Sequence, residues 1–421
     1  MFVFFWLVYL FKITWCVKKQ CFEYTELETD NIKEDFKKCD RGKHPLGNPD
    51  MFLPTFVLKS NMPTVSAEGE MLAIDFGGTS LKLGLYKIEK GKVENMKKVE
   101  HVIIPRGDDE ESKRRNGCVY NWIAEEVEKY LGSNKNKIRA GLTFSYPIEQ
   151  NSLSSGRILS LHKNFSFKPL DEKEKDPVAS LNRVFKQRNM KVSVQVLAND
   201  TTATLMSEPL KMNDFPIGVV LGTGTNAAYF KSRGQEHCMA TNVEWASFDA
   251  HSLKITKYDK DIQDDLEKKG KSWKRLDCML GGYKFLEILN RSSGDILPEK
   301  FDYTLENVKE IIERGDEDDE KYKHIKQVKT RTMKIISALI FAILELEKVS
   351  SETTISLILN GTIFEQKFDV DLLKHEIQNM CAHYGKGIYK YANFTFPIPQ
   401  QASLLGIIRI LAENVMSGDN H

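Results

Sequence analysis

The chain has 421 residues, enough for two or three domains or one large two-lobed unit, and enough to bury a core without disulfide staples. Apolar residues make up 41% and charged residues 28%, a globular balance that excludes a disordered or fibrous chain. Lys and Arg number 60 against 59 Asp and Glu, a formal net charge of +1. That balance disfavours a dominant nucleic-acid-binding role, which needs a basic surplus or a clustered basic face.

The chain opens on an apolar run, Met1 to Phe11 (MFVFFWLVYLF), with no charged residue. Such a start reads as a secretory signal or membrane leader over residues 1–22, with a buried helix or strand as the alternative. Lys12 interrupts the run, and Met1 to Val17 is shorter than the roughly 20 residues that span a bilayer. The expected location is secreted or membrane-anchored, with membrane contact through residues 1–17 only and a cytoplasmic location as the alternative. The seven cysteines form no CxxC pair and no HExxH occurs, so no zinc site is expected. Cys21 and Cys39 are candidates for a disulfide in an exported chain. Cys118, Cys238, Cys278 and Cys381 read as reduced core residues.

Residues 23–69 read as an N-terminal helix and connector. Asp30 to Lys38 is a short amphipathic helix capped by Asp30, with Ile32 and Phe36 on one face. Glu70 to Lys87 reads as strand, tight glycine turn and strand. Asp108 to Arg115 is a solvated charge run. Tyr120 to Leu131 has helical apolar spacing, and Lys137 to Phe144 and Val192 to Leu197 read as strands. Ile217 to Phe230 repeats the strand–glycine-turn–strand unit, so two lobes of similar build are expected. Thr330 to Val349 is an amphipathic helix with a core-facing stripe, Thr354 to Leu359 a buried strand, and Gln401 to Val415 a closing helix. Strands alternating with helices argue an α/β fold with mixed sheets.

The two glycine turns are Asp75-Phe76-Gly77-Gly78-Thr79 and Gly222-Thr223-Gly224-Thr225. Glycine lets backbone N–H groups approach an anion and the threonine hydroxyl adds a donor, so both suit phosphate cradles. Asp75 can order a magnesium ion through water. No GxxxxGK[ST] occurs and no GxGxxG opens a helix, which excludes a P-loop and argues against a dinucleotide fold. Asp200 follows the apolar strand VSVQVLA, where a carboxylate can take a proton from a hydroxyl nucleophile. It also suits a helix N-cap before Thr-Thr-Ala-Thr-Leu.

The motifs together resemble those of the eukaryotic-type hexokinases, members of the actin-like ATPase superfamily. LPTFV (53–57) resembles the segment leading into their first lobe, and LAIDFGGTSLKL (72–83) their first phosphate motif. LTFSYP (142–147) with GRILSLHKNF (156–165) resembles their sugar loop, and LANDTTATLM (197–206) the segment with the base. GTGTNAAY (222–229) resembles the second phosphate motif, NVEWASFD (242–249) the second sugar motif and NGTIF (360–364) the adenosine motif. Seven motifs in family order cover residues 25–415. Joined to the apolar leader, the resemblance is to an exported form, of microsporidian type.

The resemblance implies an α/β, two-lobed actin-like ATPase (ribonuclease H-like) fold, with a five-stranded sheet in each lobe and a central ligand cleft. A small lobe would span 70–199 plus a C-terminal helix at 400–416, and a large lobe 200–396. It implies ATP-dependent phosphorylation of a hexose, glucose foremost, at the 6-hydroxyl, with Asp200 as general base. Ser145, His162, Lys163, Asn199, Asn226, Glu244 and Asp277 would bind the sugar. Gly77, Gly78, Thr79 and Lys82 would form the first phosphate cradle, Thr223 and Gly224 the second, and Gly361 and Thr362 the adenosine contact. Asp75 would act on Mg2+ through water, the ion itself being held by ATP. Hexose and ATP are the expected partners, with no nucleic acid.

Several positions depart from the family pattern. His162 stands where threonine precedes the sugar-loop lysine, Lys274 where glutamine is usual, and Asp277 where glutamate is usual. Lys82 replaces a common arginine, keeping charge but not the fork. Asn360 replaces aspartate, and Pro397 to Leu404 replaces a glycine-rich loop. The departures at His162, Lys274, Asp277 and Asn360 motivate an alternative, a catalytically weak or inactive sugar-binding or regulatory protein on the same fold. A kinase of another polyol is a third reading. N-x-[ST] occurs at Asn164, Asn199, Asn290, Asn360 and Asn393, and glycans at the first, second and fourth would obstruct the expected site.

Overall fold

The computed structural model describes residues 21–418 except 41–49, 60–67, 91, 106–116, 160–166, 210, 212, 232–237, 272 and 384–388. The apolar leader, His162, Lys163 and Asn164 therefore lie outside the described residues. Thr25 caps helix α1 (Glu26–Cys39): its hydroxyl accepts from the Glu28 N–H at 3.3 Å, and the Glu28 carboxylate accepts from the Thr25 N–H at 2.8 Å. This reciprocal box satisfies two helix-end donors, so the helix begins at Glu26 and not at the expected Asp30 cap. Ile32 and Phe36 are both buried, as their spacing predicts. Strand β1 (Leu53–Leu58) follows.

The small lobe is a mixed sheet. Its elements are β2 (Gly69–Phe76), β3 (Ser80–Glu89), β4 (Lys92–Asn95), β5 (Glu100–Ile103), α2 (Val119–Leu131), β6 (Ile138–Phe144), β7 (Ile148–Ser152), β8 (Ser155–Ile158), α3 (Pro177–Gln187) and β9 (Val192–Ala198). The strand order is β4-β3-β2-β6-β9, with β5 also on β3. β2 and β3 form the first glycine-turn hairpin, and β6 lies parallel to both β2 and β9. Apolar faces of α2 (Ile123, Val127) and α3 (Leu181, Phe185) close one side over Leu72, Ile74 and Leu142.

The large lobe contains α4 (Asp200–Leu205), β10 (Asp214–Leu221), β11 (Thr225–Lys231), β12 (Met239–Asn242), α5 (Lys257–Lys268), α6 (Arg275–Leu280), α7 (Gly282–Ile296), α8 (Leu305–Arg314), α9 (Glu320–Leu346), β13 (Thr354–Asn360), α10 (Lys367–His383) and β14 (Phe394–Thr395). α11 (Ala402–Gly418) ends the described chain. The sheet order is β1-β12-β11-β10-β13-β14. Both sheets have six strands where five were expected: β1 pairs antiparallel with β12 in this one, and β5 pairs antiparallel with β3 in the small lobe. α1 also joins this lobe: Ile32 and Phe36 share a core with Met333 and Ile340 of α9, and Lys33 and Lys37 reach Glu345 at 2.5 and 2.6 Å. Residues 26–39 and 53–58 are thus structural parts of the large lobe.

α9 begins at Glu320, ahead of the apolar stripe, because Asp319 accepts from the Lys321 N–H at 2.8 Å and caps a charged first turn. Arg331 in α9 is fully buried and clasps Asp259 of α5 through two hydrogen bonds of 2.7 and 3.0 Å, while a third reaches the Met279 carbonyl of α6 at 3.0 Å. α11 returns to the small lobe, where Ile407 and Leu411 pack with Val196. A side chain on Gly406 would meet the Ala203 carbonyl oxygen at 1.7 Å, so glycine lets α11 cross α4 at backbone contact. The candidate disulfide between Cys21 and Cys39 is not formed, and Cys39 is buried in the helix interface. Cys118, Cys278 and Cys381 are buried free thiols and Cys238 is half-buried. Among the described residues no helix is long and apolar enough to cross a membrane.

Candidate active site

The candidate residues cluster where parallel strands end. Asp75 lies at the end of β2, Ser145 follows β6, Asn199 follows β9, and Gly361 follows β13. The carboxyl ends of parallel strands leave backbone groups and turns facing a crevice, the usual place for ligands in α/β sheets. Here they line one cleft of about 380 Å³, together with both glycine turns, Asp200, Asn226, Glu244, Lys274 and Asp277. The structure therefore brings together Asp75, Gly77, Gly78, Thr79, Lys82, Ser145, Asn199, Asp200, Thr223, Gly224, Asn226, Glu244, Asp277, Gly361 and Thr362. His162 and Lys163 lie outside the described residues.

Asn199, not Asp200, caps α4: its side-chain oxygen accepts from the Thr201 N–H at 2.9 Å. The cap reading of Asp200 is thus corrected. The extended backbone of Asn199 suits a cap, which leaves Asp200 as the first helical residue, lining the cleft. Its Oδ1 accepts from the Thr201 hydroxyl at 3.2 Å.

Asp75 is buried, and only its Oδ2 is engaged, by the Ser403 hydroxyl at 2.6 Å and by Lys82 Nζ at 3.8 Å. Oδ1 is buried and has no hydrogen-bond partner among the described residues. Burial pushes this carboxyl above its usual range; Lys82 and the Ser403 hydrogen bond oppose the shift, and the Asp200 charge adds to it. A nearby divalent cation would relieve that desolvated charge.

The polar end of the cleft is a connected amide–carboxylate network. Asn226 Nδ2 donates to Asn242 at 2.7 Å, to Glu244 Oε1 at 3.3 Å and to Asn199 Oδ1 at 3.4 Å, and Asn242 Nδ2 donates to Glu244 Oε1 at 2.9 Å. Glu244 sits in the left-handed region at φ 52°, a conformation costly for a non-glycine residue and common where function fixes a side chain. Lys274 pairs with Glu244 Oε2 at 2.8 Å. Asp277 Oδ1 accepts from the Thr225 N–H at 2.8 Å, and Trp245 Nε1 donates to the Thr225 hydroxyl at 2.9 Å, so Asp277 and Trp245 hold the second glycine turn.

Gly361 has φ +111°, and a Cβ there would meet the Leu221 carbonyl oxygen at 2.3 Å, so the turn after β13 requires glycine to lie against β10. Asn360 anchors the same turn by donating to the Thr204 hydroxyl at 2.9 Å, a bond in which aspartate could only accept. Beyond the glycine turns a second cavity of about 1310 Å³ is lined by Thr79, Thr223 and Thr362 and by apolar Phe285, Leu286 and Ile312. Its mixed lining suits a planar base beside a phosphate cradle. The backbone cradles and the unpartnered Asp75 oxygen fit a magnesium nucleotide.

Sequence reasoning missed His101, Tyr146, Glu365 and Ser403, which also line the cleft. His101 arrives by strand pairing opposite Lys82, and Ser403 by the return of α11. Neither carries a local sequence signal.

Two hexokinase family models match the chain, one over residues 18–209 and the other over 216–292. Hexokinase-10 of Oryza sativa is 31% identical over 211 residues, 47% of this chain and 41% of the relative. Hexokinase-2 of Schizosaccharomyces pombe is 28% identical over 295 residues, 63% of this chain and 62% of the relative. The chain spans about half the length of the first plant relatives it matches. A hexokinase from Schistosoma mansoni, solved with glucose, has a similar fold at a TM-score of 0.71 and 20% identity, covering 96% of this chain and 99% of that one. A further hexokinase crystal structure reaches 0.73 at 17% identity, covering 95% and 99%. The fold is that of the two-lobed actin-like ATPases, and with the two family models together covering more than half of its length, the chain belongs to the hexokinase family.

Proposed function

We propose that the protein transfers a phosphoryl group from ATP to the 6-hydroxyl of a hexose, glucose foremost, with Asp200 as the general base. The observation that carries this reading is the single cleft shared by Asp200, the two glycine turns and the set Ser145, Asn199, Asn226 and Glu244. Polar side chains aimed at hydroxyls are what sugar discrimination needs, since an analogue lacking a hydroxyl leaves a buried partner unpaired. Asp200 takes the hydroxyl proton as the sugar oxygen attacks, because its carboxylate is the one at the start of α4 that the helix cap does not consume. The N–H groups of the two turns and the Lys82 ammonium receive the phosphate charge. Asp75 would hold the magnesium ion's water shell, with Ser403 fixing its carboxylate. Magnesium, when bound with the nucleotide, supplies neutralisation of charge on the transferred group. Closure of the lobes excludes water and aligns the reacting oxygens.

A coupled assay for sugar 6-phosphate on purified protein tests this reading. ATP-dependent turnover on glucose is expected. Absence of turnover on every hexose, with sugar binding retained, would favour the second reading, a sugar-binding regulator. That reading draws on His162, Lys274, Asp277 and Asn360, of which the last three are engaged within the protein. Export or membrane attachment through residues 1–17 is a separate proposal, resting on their apolar composition. N-terminal sequencing of the mature protein tests it, and an intact Met1 in soluble protein would reject cleavage.

A further inference from the structure

Lys274 and Asp277 stand one turn apart at the start of α6 and send opposite charges to different parts of the cleft. Asp277 holds the second glycine turn through the Thr225 N–H at 2.8 Å. Lys274 Nζ lies 2.8 Å from Glu244 Oε2, with side-chain exposures of 14% and 6%. The other oxygen of Glu244 already accepts from Asn242 and Asn226. An ammonium has three donors, and the pair with Glu244 uses one while the side chain still lines the cleft. The charge on Lys274 is secure. Burial, the largest influence, works against it, but Glu244, and after it Asp277 and Asp50, more than offset that and raise its pKa above the ordinary lysine value.

This pair sets the local charge that a bound sugar meets. A carboxylate without a counter-ion attracts an ammonium substituent as well as accepting from a hydroxyl. A carboxylate paired with a fixed ammonium loses that attraction, and the fixed ammonium repels a second one. We propose that Lys274 is a specificity-determining residue that biases the cleft toward neutral hexoses and against aminohexoses. The proposal rests on the sugar-kinase reading of the same cleft. Asp75, Asp200, Asp277 and Glu365 leave the cleft acidic as a whole, so the effect of Lys274 is local and is read as a ratio of affinities.

The test is calorimetric binding of glucose, 2-amino-2-deoxyglucose and 3-amino-3-deoxyglucose at a pH where the amines are charged. Lys274→Gln is expected to raise the affinity for at least one aminohexose, relative to glucose, by at least tenfold. Lys274→Arg keeps the charge and is expected to keep the wild-type ratio. An unchanged ratio in a Lys274→Gln protein that melts normally overturns the proposal. If Lys274→Gln does not fold, Glu244→Gln removes the paired carboxylate while the Lys274 ammonium stays, and is expected to weaken aminohexose binding relative to glucose; an unchanged ratio there overturns the proposal equally. Wild-type protein that binds no hexose would overturn the sugar-kinase reading and this proposal together. Hexose binding with insensitive ratios would overturn this proposal alone.

Discussion

The hydroxyls of Thr79 and Thr223 meet 3.0 Å apart, although one belongs to the small-lobe glycine turn and the other to the large-lobe turn. The two glycine turns thus face each other across the cleft, and under the proposed function a bound nucleotide would exchange this bond for bonds to phosphate. Thr79→Ala is expected to lower kcat/KM for ATP about tenfold, the loss of one charge-assisted hydrogen bond. Glucose affinity measured without nucleotide should stay unchanged. A parallel loss of glucose affinity would show that the contact supports the sugar end instead.

Asp200, the proposed base, adjoins Asn199, the cap of α4, and the two make separable predictions. Asp200→Asn is expected to reduce kcat by about 10²–10⁴-fold, the range for a positioned general base, with an unchanged melting temperature. Asn199→Ala is expected to destabilise by about 1 kcal/mol through loss of the α4 cap, and to weaken sugar binding as well. Steady-state kinetics beside thermal melts separates the two. Wild-type turnover by the Asp200 variant would remove it from the mechanism.

His383 fixes the end of α10 to α1. Its Nδ1 lies 3.0 Å from Glu26 and its Nε2 3.0 Å from Asp30. The Asp30 hydrogen bond, with the charges of both carboxylates, raises the imidazole pKa above its ordinary 6.5 against a smaller opposing effect of burial. A raised folded-state pKa means that the contribution is complete below 6.5 and is lost as pH rises through the folded value. Urea midpoints of the wild type should therefore fall over that window, and those of His383→Gln should fall less. Identical pH profiles would discount the clasp.

The Arg331–Asp259 pair is fully buried and also holds the Met279 carbonyl of α6, the helix whose start carries Lys274 and Asp277. Asp259→Ala leaves a buried guanidinium without its anion and is expected to cost about 3–5 kcal/mol. Urea denaturation measures the loss. A change below about 1 kcal/mol would mean that water reaches Arg331 in the variant.

The sequence by itself determined the two glycine turns, the strands that carry them and the polar residues beside them, because each is written in consecutive residues: alternation, then Gly-Gly-Thr or Gly-Thr-Gly. Ile32 and Phe36 of α1, and the apolar stripe of α9, were legible for the same reason. Helix starts were less so. The Thr25–Glu28 box and the Asp319 cap act through side-chain geometry that competes with nearby acids such as Asp30. Only the tertiary structure decided what depends on contacts between distant segments. It joined β1 to β12, brought Ser403 to Asp75 across 328 positions, and gave the cap of α4 to Asn199. It also turned Lys274 from a departure in a motif into the counter-ion of Glu244. Charge pairing and burial act over ångströms in space, and a linear pattern records only which residues are adjacent in the chain.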